Sequence, residues 1–331
     1  MSQTETILAG DLGGTKTLLA LYRERQERFA LLRESVYPSR AHANFEEILD
    51  AFLAEGPPEK IDAACFDVAG PVSEGRVRTT NLPWTLDERA LAGKLGTPRV
   101  KLLNDLEATA YGMLSLPADD LVVLHPGRTP ARKGHIAVIA AGTGLGEAYL
   151  FFDGTRHHPM ASEGGHADFA PRNELEIGLL RHLRDKLKEH VSYERVLSGP
   201  GLHAIYEFLR DTGFAPAPDW LENEIASGDP GAAISQAALT RGEPLASRAL
   251  DMFCELYGAE AGNMALRGLT FGGVYVGGGI GPKILPRLRE AFPRGYLDKG
   301  RFRHLVEDIP VHLTLEPRTA LLGAAHYALR L

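Results

Sequence analysis

The sequence predicts an α/β protein of two lobes. Its 331 residues are enough for two domains that each bury an apolar core. Strand-like apolar runs alternate with amphipathic helical runs along the chain. A turn of glycine and threonine interrupts an apolar run twice, at residues 10–17 and 140–146, so that each half begins with strand, turn and strand. This recurrence indicates an internal structural duplication.

The first half predicts the element order βββαβ. Runs of small, apolar and β-branched residues at 6–12, 17–22 and 29–36 predict a meander of three strands. Residues 44–54 carry apolar side chains at the spacing of one helical face, and residues 61–70 resume a strand.

The rest of the chain predicts another strand and helix before the pattern restarts. A short strand at 98–103 leads into a helix with Asn104 as its N-cap. The second half begins with apolar runs at 135–141 and 147–152, on either side of the second glycine turn. It continues with helices at 174–187, 200–212, 230–240 and 244–267, a strand that ends in a third glycine turn at 277–279, a strand at 309–315 and a closing helix.

These elements predict a small α/β domain and a larger one. We expect residues 1–115 and 316–331 to form the small domain and residues 116–315 the large domain. The apolar side chains of residues 249–266 have the spacing of a core helix, which favours packing inside the large domain or a dimer contact.

The composition is that of a folded, soluble protein. The formal charge of −7 comes without a basic block that could follow a nucleic-acid backbone, so nucleic acid is not an expected partner. Cys65 and Cys254 lie far apart in apolar surroundings, as free thiols of a cytoplasmic protein do. No run approaches the roughly 18 apolar residues of a membrane span. The adjacent His157 and His158, without a CxxC or HxxxH pair, predict no structural zinc.

The three glycine turns are suited to phosphate. Glycine allows positive φ and removes the Cβ atoms that would keep a ligand away from backbone N–H groups. In the first turn, Thr15 and Thr17 add hydroxyls and Asp11 adds a carboxylate for a hydrated metal ion. One such turn is also typical of an ordinary hairpin, but three favour a ligand site. None matches the P-loop or the dinucleotide fingerprint.

Several blocks in a fixed order carry a family resemblance. The Asp-x-Gly-Gly-Thr turn, the Gly-Thr-Gly turn and the third glycine turn resemble those of actin-like ATPases and sugar kinases. Together with LLNDLEATAYG (102–112), SEGGHADFAPR (162–172) and ERVLSGPGL (194–202), the chain is similar to the bacterial glucokinase family from about Leu8 to its last helix. The resemblance implies a two-lobed actin-like ATPase (ribonuclease-H-like) fold, with duplicated βββαβ-type cores and a cleft between the lobes.

The resemblance also implies a reaction and its cofactors. It implies phosphorylation of D-glucose at the 6-hydroxyl by ATP with Mg²⁺, the first step of glycolysis. We also expect a homodimer. Asp11 would lie near the hydrated Mg²⁺, and the first two glycine turns would surround the phosphates. The third turn would lie beside adenosine. The nucleotide-binding residues implied in this way are Asp11, Gly13, Gly14, Thr15, Gly142, Thr143, Gly144, Gly146, Gly277, Gly278 and Gly279.

Asn104 and Asp105 are the implied catalytic pair. In the family, the aspartate that matches Asp105 is the general base, and the asparagine that matches Asn104 holds neighbouring sugar hydroxyls. An ionised carboxylate can take the hydroxyl proton while the oxygen attacks the γ-phosphorus. From the residues alone, however, an Asn-Asp pair at this place is well explained as a helix cap.

The sugar-binding residues implied by the family are Asn81, Asn104, Asp105, Glu163, His166 and Glu194. Carboxylates accept pairs of hydroxyl protons and imidazole donates or accepts, so such groups can read the hydroxyls of a hexose. From the residues alone, His166 is better explained as a structural loop histidine.

Two questions stay open at the level of sequence. Asp67 places a carboxylate in an otherwise apolar strand, which costs free energy unless it is paired or reaches a cleft. The second question is the substrate, because a kinase for another hexose, or a nucleotide-gated sugar sensor without catalysis, would need a similar set of residues. Only an enzyme needs a base at Asp105.

Overall fold

The computed structural model of the protein describes residues 4–25, 28–79, 82–128 and 132–331. The chain divides into two compact units, which we call unit 1 (Met1–Pro117 with Glu316–Leu331) and unit 2 (Ala118–Leu315). Within the described ranges, no helix has both the length and the apolar character that a bilayer crossing requires.

Unit 1 is built on a sheet with the strand order β3-β2-β1-β4-β7. Strands β1, β4 and β7 are parallel, so their carboxyl ends lie at one edge of the sheet. A small ribbon of β5 and β6 lies outside it. The elements are β1 (Thr6–Leu12), β2 (Lys16–Arg25), β3 (Arg28–Pro38), α1 (Phe45–Ala54), β4 (Ala63–Val68), β5 (Arg76–Arg78), β6 (Thr85–Asp87), α2 (Glu88–Leu95), β7 (Val100–Asn104), α3 (Asp105–Met113) and the C-terminal helix Thr319–Ala328.

The core of unit 1 covers both faces of this sheet. On one face, the apolar side of α1, which Asn44 caps, packs against Leu8 and Phe66. On the other face, the C-terminal helix packs against β1 and β4. This helix also crosses α3 closely, because a Cβ atom at Gly112 or Gly323 would overlap the backbone of the other helix. The small residues at this crossing fix the position of α3.

Unit 2 is built on a sheet with the strand order β11-β10-β9-β12-β13-β8, in which β9, β12 and β13 are parallel. Its long helix α8 is part of the core. The elements are β8 (Leu121–His125), β9 (Ile136–Ala141), β10 (Leu145–Phe152), β11 (His157–Ser162), α4 (Glu174–Leu187), α5 (Gly199–Asp211), α6 (Asp219–Ser227), α7 (Pro230–Gln236), α8 (Pro244–Gly268), β12 (Gly273–Gly277), α9 (Leu285–Leu297), α10 (Arg303–Val306) and β13 (Val311–Thr314).

The two sheets share one topology, which confirms the predicted duplication. In each sheet, a three-stranded antiparallel meander lies beside two further strands that run parallel to its first strand. Unit 2 adds β8 at its edge. The meander turns have the same length, Gly13-Gly14-Thr15 in unit 1 and Gly142-Thr143-Gly144 in unit 2.

Several elements depart from the sequence prediction. The elements that the sequence did not predict include β5, β6, β8, β11, α2, α6, α9 and α10. Strand β11 contains Pro159 and two histidines, which are poor strand formers, and it is tolerated because it lies at the edge of the sheet. The predicted helix 230–240 is α7 followed by a π-helical turn at 237–241. Met252, Phe253, Leu256 and Tyr257 of α8 are at most 1% exposed, so this helix packs inside unit 2 and its apolar face is not free for a dimer contact.

Candidate active site

Ser39 holds the first glycine turn in place by hydrogen bonds. The Ser39 hydroxyl donates to the Gly13 carbonyl at 2.7 Å, and the Ser39 N–H donates to the Thr15 carbonyl at 3.0 Å. Thr17 is fully buried, with its hydroxyl 2.9 Å from that of Ser39. The expectation that Thr17 offers its hydroxyl to a ligand is therefore wrong. The strand pleat turns Lys16 outward and Thr17 inward, whereas Thr15 lies in the turn before the strand and is exposed.

Carboxyl groups follow the carboxyl ends of the parallel strands in unit 1. Asp11 of β1 is directly paired with Asp67 of β4, and Asp105 follows the end of β7. Asp67 is fully buried, and neither of its carboxyl oxygens has a hydrogen-bond partner among the described residues within the usual geometric limits. Burial raises the pKa of Asp67 well above its ordinary value, and the charges of Asp11 and Asp105 add to the rise.

Asp11 is the more accessible member of this pair. Burial also raises the pKa of Asp11, while the neighbouring Asp67 and Lys16 oppose the rise. Of the two, Asp67 therefore has the higher pKa and holds a proton more readily than Asp11. A protonated Asp67 explains how a carboxyl group can occupy an apolar strand, because the neutral form costs much less to bury.

Asn104 and Asp105 begin α3. The Asn104 side-chain oxygen accepts the Leu106 N–H at 2.9 Å, and the Asn104 N–H donates to Glu107 at 3.0 Å, which completes a capping box. The Asn104 amide nitrogen also donates to the Gly70 carbonyl at 3.2 Å. Asn104 is therefore the N-cap of α3. Among the described residues, it uses one acceptor site and one donor of the Asn104 amide, which leaves one of each for a ligand.

The second and third glycine turns meet in unit 2. The Ile280 N–H donates to the Ala141 carbonyl at 3.4 Å. Gly278 has a φ of +81°, and a Cβ atom there would overlap the backbone of Ala141. The Tyr257 hydroxyl accepts the Ala141 N–H at 3.0 Å and lies 3.3 Å from the Gly277 carbonyl. Tyr257 thus ties the ends of β9 and β12 together from inside the core.

The amino end of α5 is joined to the second turn. The Gly199 N–H donates to the Gly142 carbonyl at 2.9 Å, and Ser198 caps the helix by accepting the Gly201 N–H at 3.1 Å. The 13-residue helix α5 therefore begins beside the second glycine turn. The positive end of the helix dipole makes such a place suitable for an anion.

A cavity of about 900 Å³ opens at this junction. Its size is that of a small-molecule site. Of the predicted nucleotide-binding residues of unit 2, the cavity is lined by Gly142, Thr143 and Gly279, whereas Gly146 and Gly277 lie inside strands. Sequence reasoning missed most of the lining, although the Ser-Gly-Pro-Gly and Gly-Asp-Pro-Gly helix starts were readable signals. The missed lining residues include Gly199, Pro200, His203, Asp229, Gly231, Gln236 and Lys283.

The predicted sugar-binding segments of unit 2 converge on Leu145. Glu194 accepts the Leu145 N–H at 3.0 Å. On the other side of the same residue, a Cβ atom at Gly165 would overlap the Leu145 carbonyl oxygen, so the turn 163–166 lies directly on β10. Glu163 and His166 have side chains that are 76% and 60% exposed, with His166 Nε2 4.0 Å from the Glu163 carboxylate. The structure thus brings Glu163, His166 and Glu194 into one region.

Asn81 lies outside the described residues. Among the residues that the structure does describe, no group of three or more histidine, cysteine, aspartate or glutamate side chains is arranged to hold a metal ion.

Comparisons with known proteins agree with this geometry. The glucokinase family model matches residues 8–331. The chain is 44% identical to the glucokinase of Nostoc punctiforme, over 98% of this chain and 99% of the relative. A solved glucokinase from an Antarctic psychrotroph superimposes with a TM-score of 0.88 at 30% identity, covering 99% of this chain and all of the other.

A more distant structure supports the fold. A ROK family glucokinase from Streptomyces griseus, solved in complex with glucose and AMPPNP, is 22% identical and has a TM-score of 0.65, over 98% of this chain and 99% of the other. The family match and the near-complete coverage confirm the resemblance noted in the sequence. The chain belongs to the glucokinase family of hexose-phosphorylating kinases and has the actin-like ATPase fold.

Proposed function

We propose that the protein is a glucokinase that transfers the γ-phosphoryl group of ATP to the 6-hydroxyl of D-glucose. The observation that carries the proposal is the position of Asp105, a carboxylate at the carboxyl edge of the unit 1 sheet and at the start of a helix. Unit 2 supplies exposed sugar-binding groups and an anion site. The full-length similarity to curated glucokinases supports the choice of glucose.

Asp105 is the general base in this proposal. Its carboxylate accepts the proton of the 6-hydroxyl while that oxygen forms a bond to the γ-phosphorus. The bond between the γ-phosphorus and the bridging oxygen breaks, and ADP leaves with the electron pair. Positioning supplies most of the acceleration in such reactions, and general-base assistance adds typically about 10²–10⁴-fold.

The remaining side chains bind and orient the two substrates. Asn104 offers the sugar its remaining amide donor and acceptor, and Glu163, His166 and Glu194 offer carboxylates and an imidazole. The exposed side chains of Glu163 and His166 support this role. The turn 142–144 and the amino end of α5 bind phosphate oxygens, and the 900 Å³ cavity takes the nucleoside.

Mg²⁺ fits the donors at the edge of unit 1. Asp11 is a partly buried carboxylate beside the first glycine turn, and Mg²⁺ prefers one or two carboxylates together with water and phosphate oxygens. Asp11 would hold the ion through water. When bound, the ion neutralises charge on the phosphate oxygens.

The test is ADP release with Mg-ATP and a panel of hexoses, for the wild-type protein and Asp105→Asn. We expect glucose-dependent turnover that falls by about 10²–10⁴-fold in the variant, with calorimetric glucose affinity changed only a few-fold. Asp119→Asn, which removes an exposed carboxylate of unit 2, is the matched control. Glucose binding without turnover for any hexose would overturn the proposal in favour of a sensor.

A further inference from the structure

Glu147 lies beneath the turn that carries Glu163 and His166. It is the third residue of β10 and pairs directly with Ser162 of β11, the residue just before the turn. Only 2% of Glu147 is exposed. Neither the sequence motifs nor the proposed reaction gives this carboxyl group a role.

The backbone of the turn rests on the Glu147 side chain. A Cβ atom at Gly164 would overlap Glu147 Oε2 and come within 3.2 Å of Glu147 Cβ. The Gly164 N–H donates to the Ser162 hydroxyl at 2.8 Å, which holds the turn down at the same point. A side chain at position 164 would displace the Glu147 carboxyl group, so the turn and this carboxyl group are in direct contact.

A buried charge cluster lies close to Glu147. Glu260 of α8 is fully buried, and it accepts from Arg267 at 2.7 Å and from Asn263 at 2.8 Å. Asn263 also donates to the Tyr193 hydroxyl at 3.1 Å, and Tyr193 precedes Glu194. The cluster is therefore linked to the Glu194 segment through Tyr193 and to the turn 163–166 through Glu147.

Glu147 lacks the partners that its neighbour has. Its Oε1 atom is buried without a hydrogen-bond partner among the described residues. The charged or titratable groups around it are Glu260, Arg267 and Tyr257 on α8 and Tyr149 on its own strand. Glu163 and His166 lie on the turn above with exposed side chains. Burial raises the pKa of Glu147 to about 8, Glu260 adds to the rise, and Arg267 opposes it.

We propose that Glu147 is a positioning residue for glucose, because its neutral side chain forms the surface on which the turn 163–166 rests. Ionisation would place a second negative charge next to Glu260 and below Glu163, and the ionised carboxylate would draw in water that the present packing excludes. The turn then rises and the affinity for the sugar falls. This inference rests on the proposal that Glu163 and His166 bind the sugar.

The direction of the pH effect follows from the protonated form. At pH 7 Glu147 is neutral and supports the turn; above pH 8 it is ionised. If only the neutral form supports the turn, the KM for glucose rises about tenfold between pH 7 and pH 9, while the KM for ATP and kcat change little. Glucose binding at pH 8.5 is then accompanied by proton uptake.

The experiment compares wild type with Glu147→Gln from pH 6.5 to 9. Glutamine keeps the shape and stays neutral, so we expect a flat KM for glucose in the variant and a rising KM in the wild type. Calorimetry of glucose binding at pH 8.5, in buffers of different ionisation enthalpy, should detect proton uptake in the wild type only. Glu174→Gln, an exposed change in α4, should behave as the wild type does.

Two outcomes separate this inference from the proposed function. A wild-type protein with a flat profile or without proton uptake, or a variant whose KM still rises, overturns the role of Glu147. The wild-type calorimetry needs no variant, so it decides even if Glu147→Gln folds poorly. In parallel, Glu163→Gln should raise the KM for glucose at every pH; if it does not, the proposed sugar site itself fails.

Discussion

The first glycine turns of the two units occupy the same place in the same topology and are surrounded by different chemistry. In unit 1, Asp11 at the end of β1 is paired with Asp67 of β4. In unit 2, the matching pair is Ala140 of β9 and Gly277 of β12. Unit 1 therefore brings carboxyl groups to the carboxyl edge of its sheet, and unit 2 brings small residues and the start of a helix.

This difference shows how one scaffold can serve two tasks. A carboxylate next to a phosphate is unfavourable unless a cation lies between them, whereas backbone amides and a helix start favour the phosphate directly. The duplicated topology provides the two edges, and a few side chains decide which edge suits a base and a cation and which suits an anion.

Among the substitutions that test this difference between the units, we expect the largest effect on stability and glucose binding at Gly165 of unit 2. Alanine there would place its Cβ atom against the Leu145 carbonyl oxygen, in a buried position where neither backbone can move freely. We expect Gly165→Ala to lower the free energy of unfolding by about 1–3 kcal/mol and to raise the KM for glucose. Denaturant unfolding and steady-state kinetics measure both quantities.

Gly93→Ala is the control for this substitution. Gly93 lies in α2 of unit 1, with no atom within 4 Å of an added Cβ. Alanine should stabilise the helix by up to about 1 kcal/mol without changing the KM. A Gly165→Ala protein with wild-type stability and KM would contradict the convergence of the sugar segments on Leu145.

The second prediction concerns two substitutions, one that removes a carboxylate beside the turn of unit 1 and one that adds a carboxylate beside the turn of unit 2. Asp11→Asn should raise the Mg²⁺ concentration needed for half-maximal rate by about tenfold, because a charged acceptor for the hydrated ion is lost. Ala140→Asp should instead raise the KM for ATP by about tenfold, because it adds a negative charge beside the phosphate turn of unit 2. Titrations of Mg²⁺ and ATP distinguish the two. An unchanged Mg²⁺ requirement in Asp11→Asn would remove the metal role from unit 1.

The smallest effect concerns stability and pH at Asp67. Its folded pKa is raised above the unfolded value near 3.8, so the unfolded chain binds fewer protons between these two values and the protein loses stability as pH rises. Asp67→Asn cannot ionise. Relative to wild type, its free energy of unfolding should therefore increase with pH, by at most about 1.4 kcal/mol per pH unit. Equal pH profiles from pH 5 to 8 would show that Asp67 is not the protonated member of the pair.

The sequence predicted local patterns well and non-local contacts poorly. The element order βββαβ and the glycine turns could be predicted because they depend on periodicity and on a few adjacent residues. Thr17 was misjudged because its partner, Ser39, lies 22 positions away. The convergence of the two predicted sugar-binding segments on Leu145 carries no local signal, and neither does the packing of Glu147 under Gly164. The role of Asn81 and the homodimer stay predictions.

The position of Leu145 predicts that each substrate affects the binding affinity of the other. It directly follows the second glycine turn, 142–144, its N–H donates to Glu194, and its carbonyl lies against Gly165. A ligand that orders this peptide segment reduces the conformational entropy that the next ligand must lose. We therefore expect ATP and glucose to bind with positive cooperativity. Because such a coupling free energy is reciprocal, the factor by which ATP tightens glucose must equal the factor by which glucose tightens ATP.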